Sequence, residues 1–291
     1  MRMEHKGILS KVKLPRKEFA DQWDKIIVAG EVKDRLLSQA ILEFTVRGKV
    51  SHTSLPLHGL LLLVGPPGTG KTSLARGLAN RLAESLSGAT FHFAEVEPHA
   101  LASSGLGRSQ QAVRDLLQKT ISELAENGPL IVLLDEVETL AADRRRMSLE
   151  ANPVDVHRAT DAVLASLDNL ATRHPQLLFI ATSNFGEAVD GAFTSRADLI
   201  EFIDKPDKAA CRAILTDSLS ALAELWPKVA RLTESKKFET AVAECVGLDG
   251  REIRKAVIAA CAFSKELALD PSLLEIDDLV RSIRHKRKRL I

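Results

Sequence analysis

Four stretches of the chain read as buried strands. "GLLLLV" (59–64), "LIVLLDEV" (130–137) and "LLFIATSN" (177–184) are short apolar runs bounded by turn or polar residues, and "FHFAEVE" (91–97) alternates apolar with polar positions. The segments between them follow helical periods instead. Leu74, Leu78, Leu82 and Leu86 recur every fourth residue, and Val113, Leu116, Leu117, Thr120, Ile121 and Leu124 follow a period near 3.6. Asn152 followed by Pro153 makes an N-cap and first-turn pair, which opens a third helix carrying Ala159, Val163, Leu164, Leu167 and Leu170 inward. Strands alternating with helices imply a parallel sheet covered on both faces. After "DKPDK" (204–208) the strand pattern stops. "AACRAILTDSLSALAELW", "FETAVAECVGL", "GREIRKAVIAACAFSKELAL" and "EIDDLVRSIRHKRKRL" all read as helices. The expected organisation is an N-terminal tail at 1–20, an α/β domain at 21–206 and a small all-α lid at 207–291.

Composition narrows the function classes. A chain of 291 residues suits roughly two domains. Lys and Arg total 40 against 39 Asp and Glu, so no global field draws the protein to nucleic acid or membrane. Cys211, Cys245 and Cys261 form no Cys-x-x-Cys pair, and His52, His58, His92, His99, His157 and His174 show no metal-ligand spacing with them. Widely spaced, odd-numbered cysteines fit a reducing cytoplasm, with the thiols filling the lid core. The N-terminus lacks the apolar segment of a signal peptide, and no apolar run approaches the ~20 residues of a membrane helix.

The chemistry is concentrated at strand ends. "GPPGTGKT" (65–72) matches the pattern of a phosphate-binding loop, and it follows a strand and opens a helix. Glycines let backbone N–H groups converge on a polyphosphate, and the helix N-terminus favours the same negative charge. In that arrangement Pro67, Gly68, Thr69, Gly70 and Ser73 line the phosphates, Lys71 neutralises β/γ charge and the Thr72 hydroxyl ligates Mg²⁺. Asp135 and Glu136 end the strand "LIVLLDE". Asp135 is placed to hold Mg²⁺, directly or through water, and Glu136 to deprotonate an attacking water. Asn184 ends the next strand, where a polar side chain reaches the γ-phosphate or that water. The Asn-Lys-x-Asp signature of GTPases is absent, so hydrolysis of ATP is the expected reaction.

From about residue 21 to 285 the chain resembles AAA+ ATPases. It carries Walker A "GPPGTGKT", Walker B "LIVLLDE", a sensor 1 "TSN", a downstream arginine and a helical lid with a Gly-Arg pair. "TSRAD" and "GREIRK" are most similar to the pachytene-checkpoint, or thyroid-receptor-interacting, type that remodels HORMA-domain proteins. The resemblance implies a parallel five-stranded sheet with flanking helices, and a homohexamer in which Arg196 enters the neighbouring subunit's site. It also implies that Arg251, or Arg254 one turn on, contacts nucleotide from the lid. A pore loop would carry Gly105 and Leu106 where the family has an aromatic, and Arg144, Arg145 and Arg146 would sit in a second one. Compact bacterial members imply a role in switching off HORMA-regulated, cyclic-nucleotide antiphage signalling by disassembling closure-peptide complexes. The basic tail "RSIRHKRKRL" (281–290) reads as a solvated helix end or subunit contact, and together with Arg144 to Arg146 it motivates a second reading, a DNA-directed AAA+ ATPase such as a helicase loader.

Overall fold

The computed structural model describes residues 7–28, 30–86, 88–96, 108–141 and 153–288. Gly105, Leu106, Arg144 to Arg146, Asn152 and His99 lie outside these residues. Two compact units form: one from the described residues of Met1–Ile26, Glu31–Gly65 and Lys71–Ile203, the other from those of Ile27–Gly30, Pro66–Gly70 and Asp204–Ile291.

The first unit is built on six strands: β1 (Ile8–Lys13), β2 (Leu60–Val64), β3 (His92–Val96), β4 (Leu130–Leu134), β5 (Leu177–Ser183) and β6 (Leu199–Phe202), in the spatial order β1-β3-β4-β5-β2-β6. All neighbours are parallel except β1, which runs antiparallel to β3. Every residue of β2, β4 and β5 is buried, because helices cover both faces. On one face Leu62, Val132 and Phe179 join a cluster with Val113, Leu117, Ile121, Val163, Leu167 and Leu170. On the other, α3 (Lys71–Ser85) lays Leu74, Leu78 and Leu82 against the sheet. The remaining helices among the described residues are α1 (Lys17–Lys25), α2 (Val32–Val46), α4 (Arg108–Arg114), α5 (Ser122–Glu126), α6 (Pro153–Arg173) and the single turn α7 (Gly191–Thr194).

Two features depart from the sequence expectation. The sheet has six strands rather than five, and the additional one is β1, in the stretch expected as a tail. Its alternate residues Leu9, Lys11 and Lys13 are exposed while Ile8, Ser10 and Val12 are half-buried, the pattern of an edge strand guarded by lysines. The region after Arg114 is also not one regular helix. Asp115–Ile121 is wound as a π-helix between α4 and α5, and this wider turn still buries Leu116, Leu117 and Ile121. Among the described residues no helix is long and apolar enough to cross a membrane.

The second unit is helical: α8 (Lys208–Ala223), α9 (Phe238–Cys245), α10 (Gly250–Cys261), α11 (Lys265–Leu269) and α12 (Ile276–Lys288). Ile214, Leu219, Val242, Ile253, Leu279 and Ile283 form its core together with Cys211, Cys245 and Cys261. Burial pushes the Cys211 thiol up to about 11 and the Cys245 thiol up to about 12, so both remain protonated and inert. Asp207 caps α8 through the Ala210 amide at 2.7 Å, and Asp249 forms a reciprocal capping box with Glu252 at the start of α10. In α12, Arg284 and Arg287 both pair with Glu244, and Arg281 lies 4.1 Å over the Phe263 ring. Much of the described basic tail is thereby engaged within its own unit.

Two expected outcomes follow from packing in the first unit. A Cβ at Gly77 would lie 2.7 Å from Trp23 Cβ and 2.9 Å from Trp23 Cα, where α1 crosses α3. Gly77→Ala should therefore destabilise the protein by about 1–2 kcal/mol in denaturant titration, because overpacking against backbone outweighs the ~1 kcal/mol that alanine normally adds to a helix. Glu43, fully buried on α2, receives one hydrogen bond from Gln39 at 2.8 Å while its second oxygen has no partner. Burial, aided by the Asp198 carboxylate, pushes its carboxyl up from 4.5 to about 7. Between those values the folded state binds the extra proton, so this group's contribution is complete below about pH 4.5 and is lost as pH rises through 7. Glu43→Gln should accordingly be more stable than the parent at pH 8, by up to about 3 kcal/mol, with the difference vanishing near pH 4.5.

Candidate nucleotide-binding and hydrolysis site

Strand register assembles the site before any side chain is considered. Val64 of β2 is paired with Ser183 of β5, and Leu134 of β4 with Ala181. One residue further along, Gly65 therefore lies beside Asn184 and Asp135 beside Thr182. The apolar strand interiors offer nothing to a phosphate, so the polar groups converge where the strands end.

Lys71, at the start of α3, is 5% exposed, and its Nζ donates to the Gly65 carbonyl at 2.7 Å and to Asn184 Oδ1 at 2.9 Å. Burial holds its ammonium below the usual lysine value, and Glu138, Asp135 and Glu136 act in the opposite direction. Thr72 Oγ1 donates to Asp135 Oδ1 at 2.9 Å. Thr182 Oγ1 donates to the same oxygen at 2.5 Å and accepts the Glu136 amide at 3.1 Å. Asn184 Nδ2 donates to Glu136 Oε1 at 3.0 Å, and its backbone N–H donates to Glu138 Oε1 at 3.1 Å. Glu136 has φ of 52°, the only non-glycine among the described residues with positive φ. That strained turn directs its carboxylate toward Asn184 at the cost of roughly 1–3 kcal/mol.

The loop between Gly65 and Lys71 is shaped as the motif requires. Gly68 and Gly70 have φ of 84° and 93°, and Thr69 Oγ1 donates to the Pro66 carbonyl at 2.9 Å. A Cβ at Gly68 would lie 2.3 Å from an Asp249 carboxylate oxygen, so this glycine lies against the cap of α10. Ser73 follows Thr72 in the first turn of α3 and is half-buried.

Lys71, Thr72, Asp135, Glu136 and Asn184 thus form one hydrogen-bonded cluster. Arg196 does not share its partners: its guanidinium is paired with Asp168 and with the Ala192 carbonyl. Of the two lid arginines, Arg254 is held by Asp217 at 2.6 Å, whereas Arg251 is exposed on α10. Thr182, Glu138 and Asp168 were not singled out by sequence. Thr182 stands two residues before Asn184 in the same "TSN" stretch, which is the one signal that pointed to it.

Residues 61–205 match the model of the ATPase family associated with various cellular activities (AAA). CD-NTase-associated protein 6 of Pseudomonas aeruginosa is 57% identical over 283 residues, covering 97% of this chain and 93% of that protein. The pachytene checkpoint protein 2 homolog of Danio rerio is 32% identical over 306 residues, covering 96% of this chain and 72% of the relative. Among solved structures, the E. coli MS115-1 HORMA:CdnC:Trip13 complex contains a chain with the same fold, at a TM-score of 0.75 and 18% identity, covering 95% of this chain and 94% of that one. With that sheet, that loop and these relatives, the chain belongs to the AAA ATPase family, in the group of the pachytene checkpoint protein 2 homologues, and is an ATP-hydrolysing enzyme.

Proposed function

We propose that the protein uses ATP and Mg²⁺ to unfold part of a HORMA-domain protein, disassembling its complex with a closure peptide and switching off a HORMA-regulated, cyclic-nucleotide antiphage system. The observation that carries the hydrolytic half is the cluster joining Lys71, Thr72, Asp135, Glu136 and Asn184. The client half is supported by a 57% identical relative named for its association with a CD-NTase, and by a chain of like fold solved in complex with HORMA and CdnC proteins.

In this reading Pro67, Gly68, Thr69, Gly70 and Ser73 surround the phosphates, and Lys71 exchanges the Asn184 oxygen for a γ-phosphoryl oxygen. Thr72 and Asp135 suit a hard cation, since both offer oxygen and already lie within 2.9 Å of each other. Among the described residues no group of three or more His, Cys, Asp or Glu could hold a metal, so phosphate and water would complete its coordination. Bound Mg²⁺ would neutralise charge on the β- and γ-phosphates. Glu136 accepts the proton of the attacking water, and the Asn184 amide fixes where that carboxylate points. Arg196 of an adjacent subunit in a homohexamer stabilises the transferring phosphoryl group, and Arg251 contacts nucleotide from the lid. Gly105 and Leu106 belong to the loop that grips the client.

Glu136→Gln should bind ATP yet hydrolyse it about 10²–10⁴ times more slowly. The tagged variant, captured with ATP from nuclease-treated cells, should retain a HORMA-fold protein and release it with ADP; replication proteins in its place, lost on nuclease treatment, would overturn the client assignment. Arg196→Ala should lower kcat by about 10³-fold or more with ATP affinity unchanged, measured by steady-state turnover beside nucleotide titration.

A further inference from the structure

An arginine that serves a neighbouring subunit must be aimed away from its own core, and a long side chain left loose would lose much of its effect. Arg196 is not loose. Its amide donates to the Phe193 carbonyl at 3.1 Å, Phe193 is fully buried, and Ala197 packs against the sheet core, so the backbone is fixed on both sides. The guanidinium then meets Asp168 of α6 edge-on, with Nε to Oδ1 at 2.6 Å and Nη2 to Oδ2 at 2.8 Å. Nη1 donates to the Ala192 carbonyl at 2.7 Å. Asp168 is itself approached by His58, whose Nε2 lies 3.4 Å from Oδ1. The Arg196 guanidinium holds the Asp168 carboxyl below the usual carboxylate range, so the pair stays charged at neutral pH.

A half-exposed ion pair of this kind adds little to stability, but a two-point fork fixes direction. A guanidinium has five N–H donors, of which Asp168 and Ala192 take three. The two left, one on each Nη, remain to donate to phosphate oxygens.

We propose that Asp168 is a positioning residue for ATP hydrolysis, holding Arg196 by one edge of its guanidinium so that the other edge is presented to the phosphate in a neighbouring subunit. This rests on the reading of Arg196 as acting in trans. Asp168 touches no nucleotide; its whole effect passes through the arginine.

Subunit mixing separates the two ideas. Asp168→Asn should lower kcat about 10–100-fold while KM and ATP affinity stay within about twofold, and it should cost nothing further in an Arg196→Ala background. Arg196→Ala subunits, which keep an intact site of their own, are then mixed with Lys71→Ala subunits or with Lys71→Ala/Asp168→Asn subunits. Turnover restored by the first donor but not by the second is the expected result. Equal restoration by both would leave Arg196 acting in trans and overturn the role of Asp168. No restoration by either, at any ratio, would remove the trans arginine and this inference with it. If Asp168→Asn subunits do not melt like the parent, the smaller Asp168→Ser replaces them in the same mixtures.

Discussion

A single buried ammonium organises the polar end of the sheet. Lys71 is nearly inaccessible, and an ammonium removed from water must find oxygen atoms or lose its proton. A parallel sheet covered on both faces offers them only at the carboxyl ends of its strands, where the Gly65 carbonyl and the Asn184 side chain supply two. That requirement bears on the register of β2 against β5: shifting the pairing by one residue would carry Asn184 to the opposite face and put Ser183 or Phe185 in its place. The register of β5 against β4 in turn brings Thr182 beside Asp135. One hydroxyl then serves both carboxylate residues, donating to Asp135 and accepting the amide of Glu136.

How much of this was legible in the sequence follows from which forces write themselves into local patterns. β2, β4 and β5 were plain because burial on both faces demands an unbroken apolar run, and the glycine-rich loop was plain because its glycines and lysine match a phosphate-binding pattern at that spacing. β1 was hidden because an edge strand needs only one packed face, and its outward Lys11 and Lys13 gave the stretch the look of a basic tail. The π-helical turn at Asp115–Ile121 was hidden for a different reason: Leu116, Leu117 and Ile121 satisfy a 3.6-residue period nearly as well as a wider one. Asp168 and Arg196 are 28 residues apart, and Thr182 and Asp135 are 47 apart. No local pattern encodes such pairs; only the strand order and the helix crossing bring them together.

Glu136 shows the same division between type and placement. Its identity could be read from the strand ending "LLDE", but not its left-handed backbone, which an L-residue adopts only when its surroundings impose it. Here the constraint comes from both sides. The Thr182 hydroxyl holds the Glu136 amide, and the Glu136 carbonyl accepts the Thr139 amide at 3.0 Å, closing the turn that follows. The carboxylate is thereby fixed on Asn184 while Asp135, one residue earlier, faces Thr72. Two adjacent acids on a regular strand would point to opposite faces of the sheet. The strained turn is what brings both carboxylates into one cluster, and the hydrogen bonds that Glu136 donates to Thr182 and accepts from Thr139 are what hold it.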